Sequence, residues 1–461
     1  MFQAARRQLC ARRRCARLRS LASLPEFGSA AEYRAHLEAE HAALPLGFRV
    51  GTAALGFTPS EAPHMDAKMV VTLIVPDEPT PDFGAVFTRN AFPGAPVKIG
   101  RLRLDAPALG AVVVNNKISN VCAKGGGVAD SEALCDAVAA ALGLEGGGSA
   151  VLPSSTGVIG WRLPVAAMLP AVPAAVAALQ PRSALPAAEG IMTTDLYPKC
   201  ASATLPSCGA RVVGIAKGAG MIEPNMATML GFILTDAAVP REELRAALAD
   251  VTEATFNSIS VDSDQSTSDT VAVLSSGRVA GSDAAVQRAE FRAALREVCA
   301  QLAEGVVRNG EGCNHLLRVR VAGAPDAETA RAVGKAVVNG NLFKCAVSGN
   351  DPNVGRIAGA VGDCIGNRGG TLVPEDCTIS MGGLVLMKGG EFNLDGAVEQ
   401  QLVAYMAAAE QKTAAGEYPD YWPHSRAVEI DVDLGQGDGS AEVLGSDLTD
   451  EYVRINGDYR S

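Results

Sequence analysis

The residues best placed to do chemistry lie in Lys217-Gly-Ala-Gly-Met-Ile-Glu-Pro-Asn-Met-Ala-Thr-Met-Leu230. A Gly/Pro-marked loop there runs into Ala227-Thr228 and an apolar stretch through Leu234. A threonine hydroxyl is a poor nucleophile unless a base takes its proton. If the Ala227–Thr228 bond were broken, Thr228 would gain an α-amine. Such a group titrates near pH 7.7–8.0, about the right range for a base at neutral pH. Nucleophile and base would then share one residue, and no histidine would be needed. On residue types alone, the segment reads as an ordinary loop feeding a core strand. Thr156-Gly157 is similarly open: it could supply hydrogen-bond donors to an oxyanion, or simply cap a helix.

Other chemistries find less support. The histidines (His36, His41, His64, His315, His424) form no H-x-x-x-H pair, and no G-x-S-x-G elbow occurs. Gly125-Gly126-Gly127 and Gly146-Gly147-Gly148 lack the Lys-Ser/Thr of a phosphate loop. No CxxC pair is present, so no metal site is expected. The cysteines read as buried free thiols.

The elements that must position these residues are mixed. Helical spacing marks Ala30 to Leu44, Ser131 to Leu144 (Leu134, Val138 and Leu142 on one face, with Gly146 as the stop), Arg241 to Asn257, Ala284 to Gly305 and Asp326 to Val338. Strand patterns mark Met69 to Val75, Ala111 to Val114, Ala150 to Leu152, a strand from about Thr228, Leu317 to Ala322 (half-exposed), Thr378 to Leu386 and Ala427 to Leu434. The two types do not alternate strictly, so the fold class is α+β rather than doubly wound.

The chain has 461 residues, 48% of them hydrophobic, and a net charge of -11. Seven arginines precede the first acid, Glu26; setting them aside leaves 33 basic (40 less seven) against 51 acidic residues. That acidic body gives no reason to bind nucleic acid or an anionic membrane. The acid-free, Arg-rich residues 1–25 have the composition of an organellar transit peptide. No apolar run is long enough to span a bilayer.

The Lys217–Leu230 string resembles the self-cleavage and nucleophile motif of the ornithine acetyltransferase (bifunctional glutamate N-acetyltransferase) family. Further matches are Ile191-Met-Thr-Thr-Asp195, Ser260-Val-Asp262, Thr267 to Thr270, Gly310-Glu-Gly312, Asp351-Pro-Asn353, Gly355-Arg356, and Tyr452 to Ser461. The resemblance implies a sandwich of two β layers between helices, as in aminopeptidases with an N-terminal nucleophile. It implies cleavage between Ala227 and Thr228 into chains of residues 26–227 and 228–461, which assemble as a heterotetramer of two of each. It makes Thr228 the nucleophile, with its α-amine as base, and Thr156 and Gly157 the oxyanion hole. Thr194, Lys217, Glu311, Asn456 and Ser461 become substrate contacts, Lys217 suited to a carboxylate and Glu311 to an ammonium.

The reaction implied is acetyl transfer from N-acetylornithine to glutamate, without a cofactor. Acetyl-CoA is a possible co-substrate, and the mitochondrial matrix the compartment, with the plastid as alternative. A hydrolase on the same scaffold, using water as acceptor, is the rival reading.

Several positions depart from the family pattern. Asn115-Asn-Lys-Ile-Ser-Asn-Val-Cys122 stands where N-S-G-x-A-N-A-C is usual, so Lys117 replaces a glycine. Val354 replaces a tryptophan, Cys313-Asn-His315 replaces Ala-Thr-Lys, and Ser461 replaces a threonine, which keeps the hydroxyl.

Overall fold

A computed structural model describes residues 27–223, 229–411 and 425–457. It comprises two compact units, one of residues 27–257 and 264–306, the other of residues 258–263 and the chain from 307 onward. The proposed transit peptide, Ala227, Thr228 and Ser461 lie outside the described residues.

The larger unit holds strands β1 (Phe48–Phe57), β2 (Ala67–Pro76), β3 (Phe83–Phe87), β4 (Ala111–Asn115), β5 (Val151–Ser155), β6 (Lys199–Thr204), β7 (Arg211–Lys217) and β8 (Leu230–Ala237). Strand β9 (Ile259–Ser260) belongs to the smaller unit, and β10 (Thr270–Val279) returns to the larger. They form a four-stranded sheet, β1-β2-β4-β5, and a five-stranded sheet, β3-β10-β8-β7-β6. Strands β4 and β8 are buried along their whole length, which is why Ala111 to Val114 and Leu230 to Leu234 read as apolar runs.

Besides the single turn Val165–Met168, its helices are α1 (Ala30–Glu40), α2 (Ala95–Arg103), α3 (Gly127–Leu142), α4 (Val172–Ala177), α5 (Leu185–Gly190), α6 (Arg241–Ala254) and α7 (Ala284–Arg308), the last running on into the smaller unit. Helices α3 and α4 pack on the four-stranded sheet: Leu134, Cys135 and Val138 meet Val71, Leu73, Val113 and Ala175 in one core. Each large apolar side chain buried there contributes about 1.5–3 kcal/mol. Helix α7 lies so close to β7 that a Cβ on Gly214 would come within 2.6 Å of Val298 and 2.7 Å of Leu302. Two sheets flanked by helices form the expected sandwich.

The smaller unit builds one sheet in the order β14-β13-β12-β15-β11-β16-β9. Its strands are β11 (Leu316–Ala324), β12 (Thr378–Met381), β13 (Leu384–Lys388), β14 (Glu391–Phe392), β15 (Val428–Asp433) and β16 (Gly439–Ser446). Helices α8 (Ala327–Asn339), α9 (Asn341–Ser348) and α10 (Val354–Asn367) supply Val333, Val337, Phe343, Ile357 and Val361 to a core with Val319, Val321, Ile379 and Ile430. Helices α11 (Gly396–Ala407) and α12 (Asp450–Gly457) complete it.

Some boundaries differ from the sequence reading. Thr378 to Leu386 is a hairpin rather than one strand, because Gly382 and Gly383 turn with φ of +56° and +84°. Helix α3 stops at Gly143 (φ +68°), ahead of the Gly146 run, with the Gly143 N–H closing on Ala139 and Ala140. The strand after Thr228 begins at Leu230. Arg318 on β11, expected half-exposed, is 3% exposed and paired with Glu442 at 2.9 Å. Cys122 and Cys345 are exposed rather than buried.

Candidate active site

Strand β5 ends at Ser155, and the chain turns at once through Thr156 and Gly157. The turn is pinned against the loop after β4. The Thr156 N–H donates to the Asn115 carbonyl at 3.1 Å, and the Val158 N–H to the Lys117 carbonyl at 2.9 Å. The Ser155 hydroxyl donates to Asn115 Oδ1 at 2.6 Å. Gly157 has φ +121°, and a Cβ there would sit 2.1 Å from the Lys117 carbonyl carbon. Only glycine fits. Thr156 therefore caps no helix; it bridges to Ile118 as a half-buried corner.

Lys217 ends β7, and its Nζ donates to Thr156 Oγ1 at 3.3 Å. With the lysine as donor, the hydroxyl keeps its own proton to give elsewhere. In register, Lys217 lies opposite Leu230, the first residue of β8. On the other side of β8, the Thr270 N–H donates to the Met229 carbonyl at 3.1 Å. The chain immediately after Thr228 is thus held by both neighbouring strands.

Thr194 is half-buried in the loop between α5 and β6. Its neighbour Asp195 organises this loop. Asp195 Oδ2 accepts the Thr193 N–H at 3.0 Å. Its Oδ1 accepts Lys199 Nζ at 2.6 Å and the Gly218 N–H at 2.8 Å. Burial opposes the charge on Asp195. The ammonium groups of Lys199 and Lys217 and the hydrogen bonds outweigh it, and hold the carboxyl well below the usual range. Asn116 adds a second tie, its Nδ2 donating to the Met192 carbonyl at 2.9 Å.

Asp269, just before Thr270, behaves oppositely. Burial pushes its carboxyl well above the usual range, against hydrogen bonds with Ser266 and Thr88 and the charge of Lys217. Among the described residues its Oδ2 has no hydrogen-bond partner. Composition and spacing gave no sign of either environment.

The segment departing from the family pattern also has a physical reading. Lys117 sits at φ +73°, a left-handed position that glycine occupies at little cost.

In the smaller unit, Glu311 follows α7 in the loop Gly310 to Gly312, and Asn456 Nδ2 donates to Glu311 Oε2 at 3.0 Å. Gly312 has φ +65°, and a Cβ there would lie 2.3 Å from the Tyr452 nitrogen. The Thr449 hydroxyl donates to the Gly312 carbonyl at 2.6 Å. Two other matching strings are structural. Asn353 caps α10, accepting the Arg356 N–H at 3.2 Å. Ser260 lies on edge strand β9, where Lys335 Nζ donates to the Ile259 carbonyl at 2.6 Å.

A two-layer β sandwich flanked by helices, with a hydroxyl-glycine corner beside a lysine, offers the donors that the oxyanion of an acyl-transfer reaction needs. The ArgJ family model matches residues 59–461, and the chain belongs to the ArgJ family. It is 38% identical to the arginine biosynthesis bifunctional protein ArgJ of Nitratidesulfovibrio vulgaris, over 91% of this chain and 100% of that one. It is 36% identical to the mitochondrial ArgJ protein of Uncinocarpus reesii, over 90% of this chain and 93% of that one. Among solved structures it is similar to the ornithine acetyltransferase of Mycobacterium tuberculosis complexed with ornithine. That match has 32% identity and a TM-score of 0.32, and covers 41% of this chain and 97% of that one.

Proposed function

We propose that this enzyme moves an acetyl group from N-acetylornithine to glutamate through an acetyl ester on Thr228, after cutting itself between Ala227 and Thr228. The Thr228 hydroxyl attacks the acetyl carbonyl while its α-amine takes the proton. Thr156 Oγ–H and Gly157 N–H donate to the oxyanion of the tetrahedral intermediate. The C–N bond then breaks, the proton passes to the departing amine, and ornithine leaves. The amine of glutamate attacks the ester in turn, giving N-acetylglutamate and restoring the threonine.

In this reading Thr194, Lys217, Glu311, Asn456 and Ser461 bind the amino-acid portions. The observation that carries it is the Lys217–Thr156 contact at 3.3 Å beside a corner that only glycine can turn. Residues 1–25 act as a mitochondrial transit peptide, supported by their arginines and the absence of acids. The two cleaved chains pair as a heterotetramer of two of each. No cofactor takes part, and acetyl-CoA serves as an alternative acetyl donor. Among the described residues no helix is long and apolar enough to cross a membrane.

The test compares protein lacking residues 1–25 with its Thr228→Ala variant by intact mass and by turnover with and without glutamate. Two fragments with a new Thr228 terminus, and ornithine release that depends on glutamate, support the reading. An uncut wild type refutes the amine-base mechanism, and release that ignores glutamate refutes transfer in favour of hydrolysis.

A further inference from the structure

Among the described residues, a fully enclosed His–Asp pair of the smaller unit has no part in the proposed chemistry. His315 and Asp447 both have side chains at 0% exposure. They sit one step beyond the last paired residues of two antiparallel strands, Leu316 of β11 and Ser446 of β16. The Asp447 N–H donates to the His315 carbonyl at 3.2 Å. The carboxylate is then gripped twice, by the Asn314 N–H at 2.8 Å and by His315 Nδ1 at 2.8 Å.

The other ring nitrogen of His315, Nε2, faces the Met406 carbonyl of α11 at 3.2 Å. A carbonyl and a carboxylate are both acceptors, so each ring nitrogen lies where its N–H can be given to the backbone of α11 or to Asp447.

What the pair joins is informative. Four residues before His315 lies Glu311. Nine residues after Asp447, beyond the Thr449 bond to Gly312, lies Asn456 on α12, which donates to Glu311. The loop carrying one substrate contact and the helix carrying the other leave the sheet side by side, and His315–Asp447 is their common anchor.

We propose that His315 and Asp447 are positioning residues for the amino-acid site, a buried hydrogen-bonded clamp that fixes Glu311 and Asn456 relative to one another. The inference rests on the substrate-binding role proposed for those two residues. Its physical content, that the clamp orders both segments, does not.

Two readouts separate them. The first is amide hydrogen exchange of the processed wild type, His315→Gln, His315→Lys and Asp447→Asn, without substrate. Glutamine removes one donor direction, whereas lysine keeps a donor facing Asp447. Faster exchange confined to residues 311–314 and 450–457 in His315→Gln or Asp447→Asn, with near-native rates in His315→Lys, supports the clamp. Unchanged rates, or protection lost evenly across the smaller unit, overturn it.

The second readout is kinetic. His315→Gln should raise KM for glutamate about tenfold and leave kcat within about twofold, and His315→Lys should recover most of the loss. An unchanged KM, or an equal fall in kcat with no rescue by lysine, overturns the positioning role. A wild type that transfers no acetyl group, while exchange behaves as stated, refutes the proposed function and leaves the clamp standing.

Discussion

Asp195 Oδ1 accepts the backbone N–H of Gly218 at 2.8 Å, although 22 residues separate them in the chain. The loop that carries Thr194 is thereby fastened to the end of the strand that carries Lys217. The same oxygen holds Lys199 in an ion pair whose side chains are 2% and 0% exposed. One carboxylate thus sets two proposed substrate contacts, without being one itself.

Removing that carboxylate takes a 2.6 Å ion-pair contact from a buried ammonium. Asp195→Asn should cost about 3–5 kcal/mol in denaturant unfolding, and adding Lys199→Met should recover part of it. The pH dependence has a definite sign. The folded-state value is depressed, so this stability is present above 3.8 and lost as pH falls toward the folded value. Acid unfolding of the Asn variant should lack that component, and an identical acid profile would contradict the charge assigned to Asp195.

Asp269 has the opposite sign. Its folded-state value lies above 3.8, so over the interval between them the native state keeps a proton that the unfolded chain has released. Its contribution to stability therefore falls as pH rises. Asp269→Asn should be more stable than wild type at pH 8 and show a flatter melting temperature between pH 5 and 8. A less stable variant at pH 8 would mean that the acid is ionised and paired.

The Thr156 hydroxyl can be tested alone. Thr156→Val keeps the shape but removes the donor, and should lower kcat about a hundredfold to a thousandfold, with Thr156→Ser within about tenfold of wild type. Single-turnover acetylation of Thr228 is the suitable measurement. Equal losses in Val and Ser would point to packing rather than hydrogen bonding.

Lys117 offers a stability gain. Placing glycine at its φ of +73° removes left-handed strain and adds some freedom to the unfolded chain. The net gain from Lys117→Gly should be about 0.5–1 kcal/mol, read as a higher melting temperature. A loss would show that the Lys117 side chain makes contacts worth more than the strain.

Much of the frame was legible because burial on both faces writes a strand as a continuous apolar run, as in β4, or because one helix face carries the apolar residues, as in α3. Strand β1, Phe-Arg-Val-Gly-Thr-Ala-Ala-Leu-Gly-Phe, was not legible, since its two glycines and small side chains disguise the period. Strand β7 escaped for a similar reason: Gly214 is small because α7 packs directly against it. Thr156, Gly157, Lys217 and Glu311 could be named in advance through their matching strings. Asp195 and Asp269 could not be singled out as they were. Their character depends on a backbone N–H, a distant lysine and a loss of solvent that only the folded chain supplies.

Strand β8 starts at Leu230 in the interior of its sheet, with β7 along one side and β10 along the other. The proposed cut before Thr228 would therefore leave two polypeptides sharing a hydrogen-bonded seam, with β7 from one and β8 from the other. Such processing would change the number of chain ends without parting the seam. The route back from the denatured state would change: an uncut chain refolds in a unimolecular step, whereas two severed pieces would have to meet at a rate set by their concentration. Unfolding before processing should then be reversible on dilution, and unfolding after it effectively a one-way event at low protein concentration.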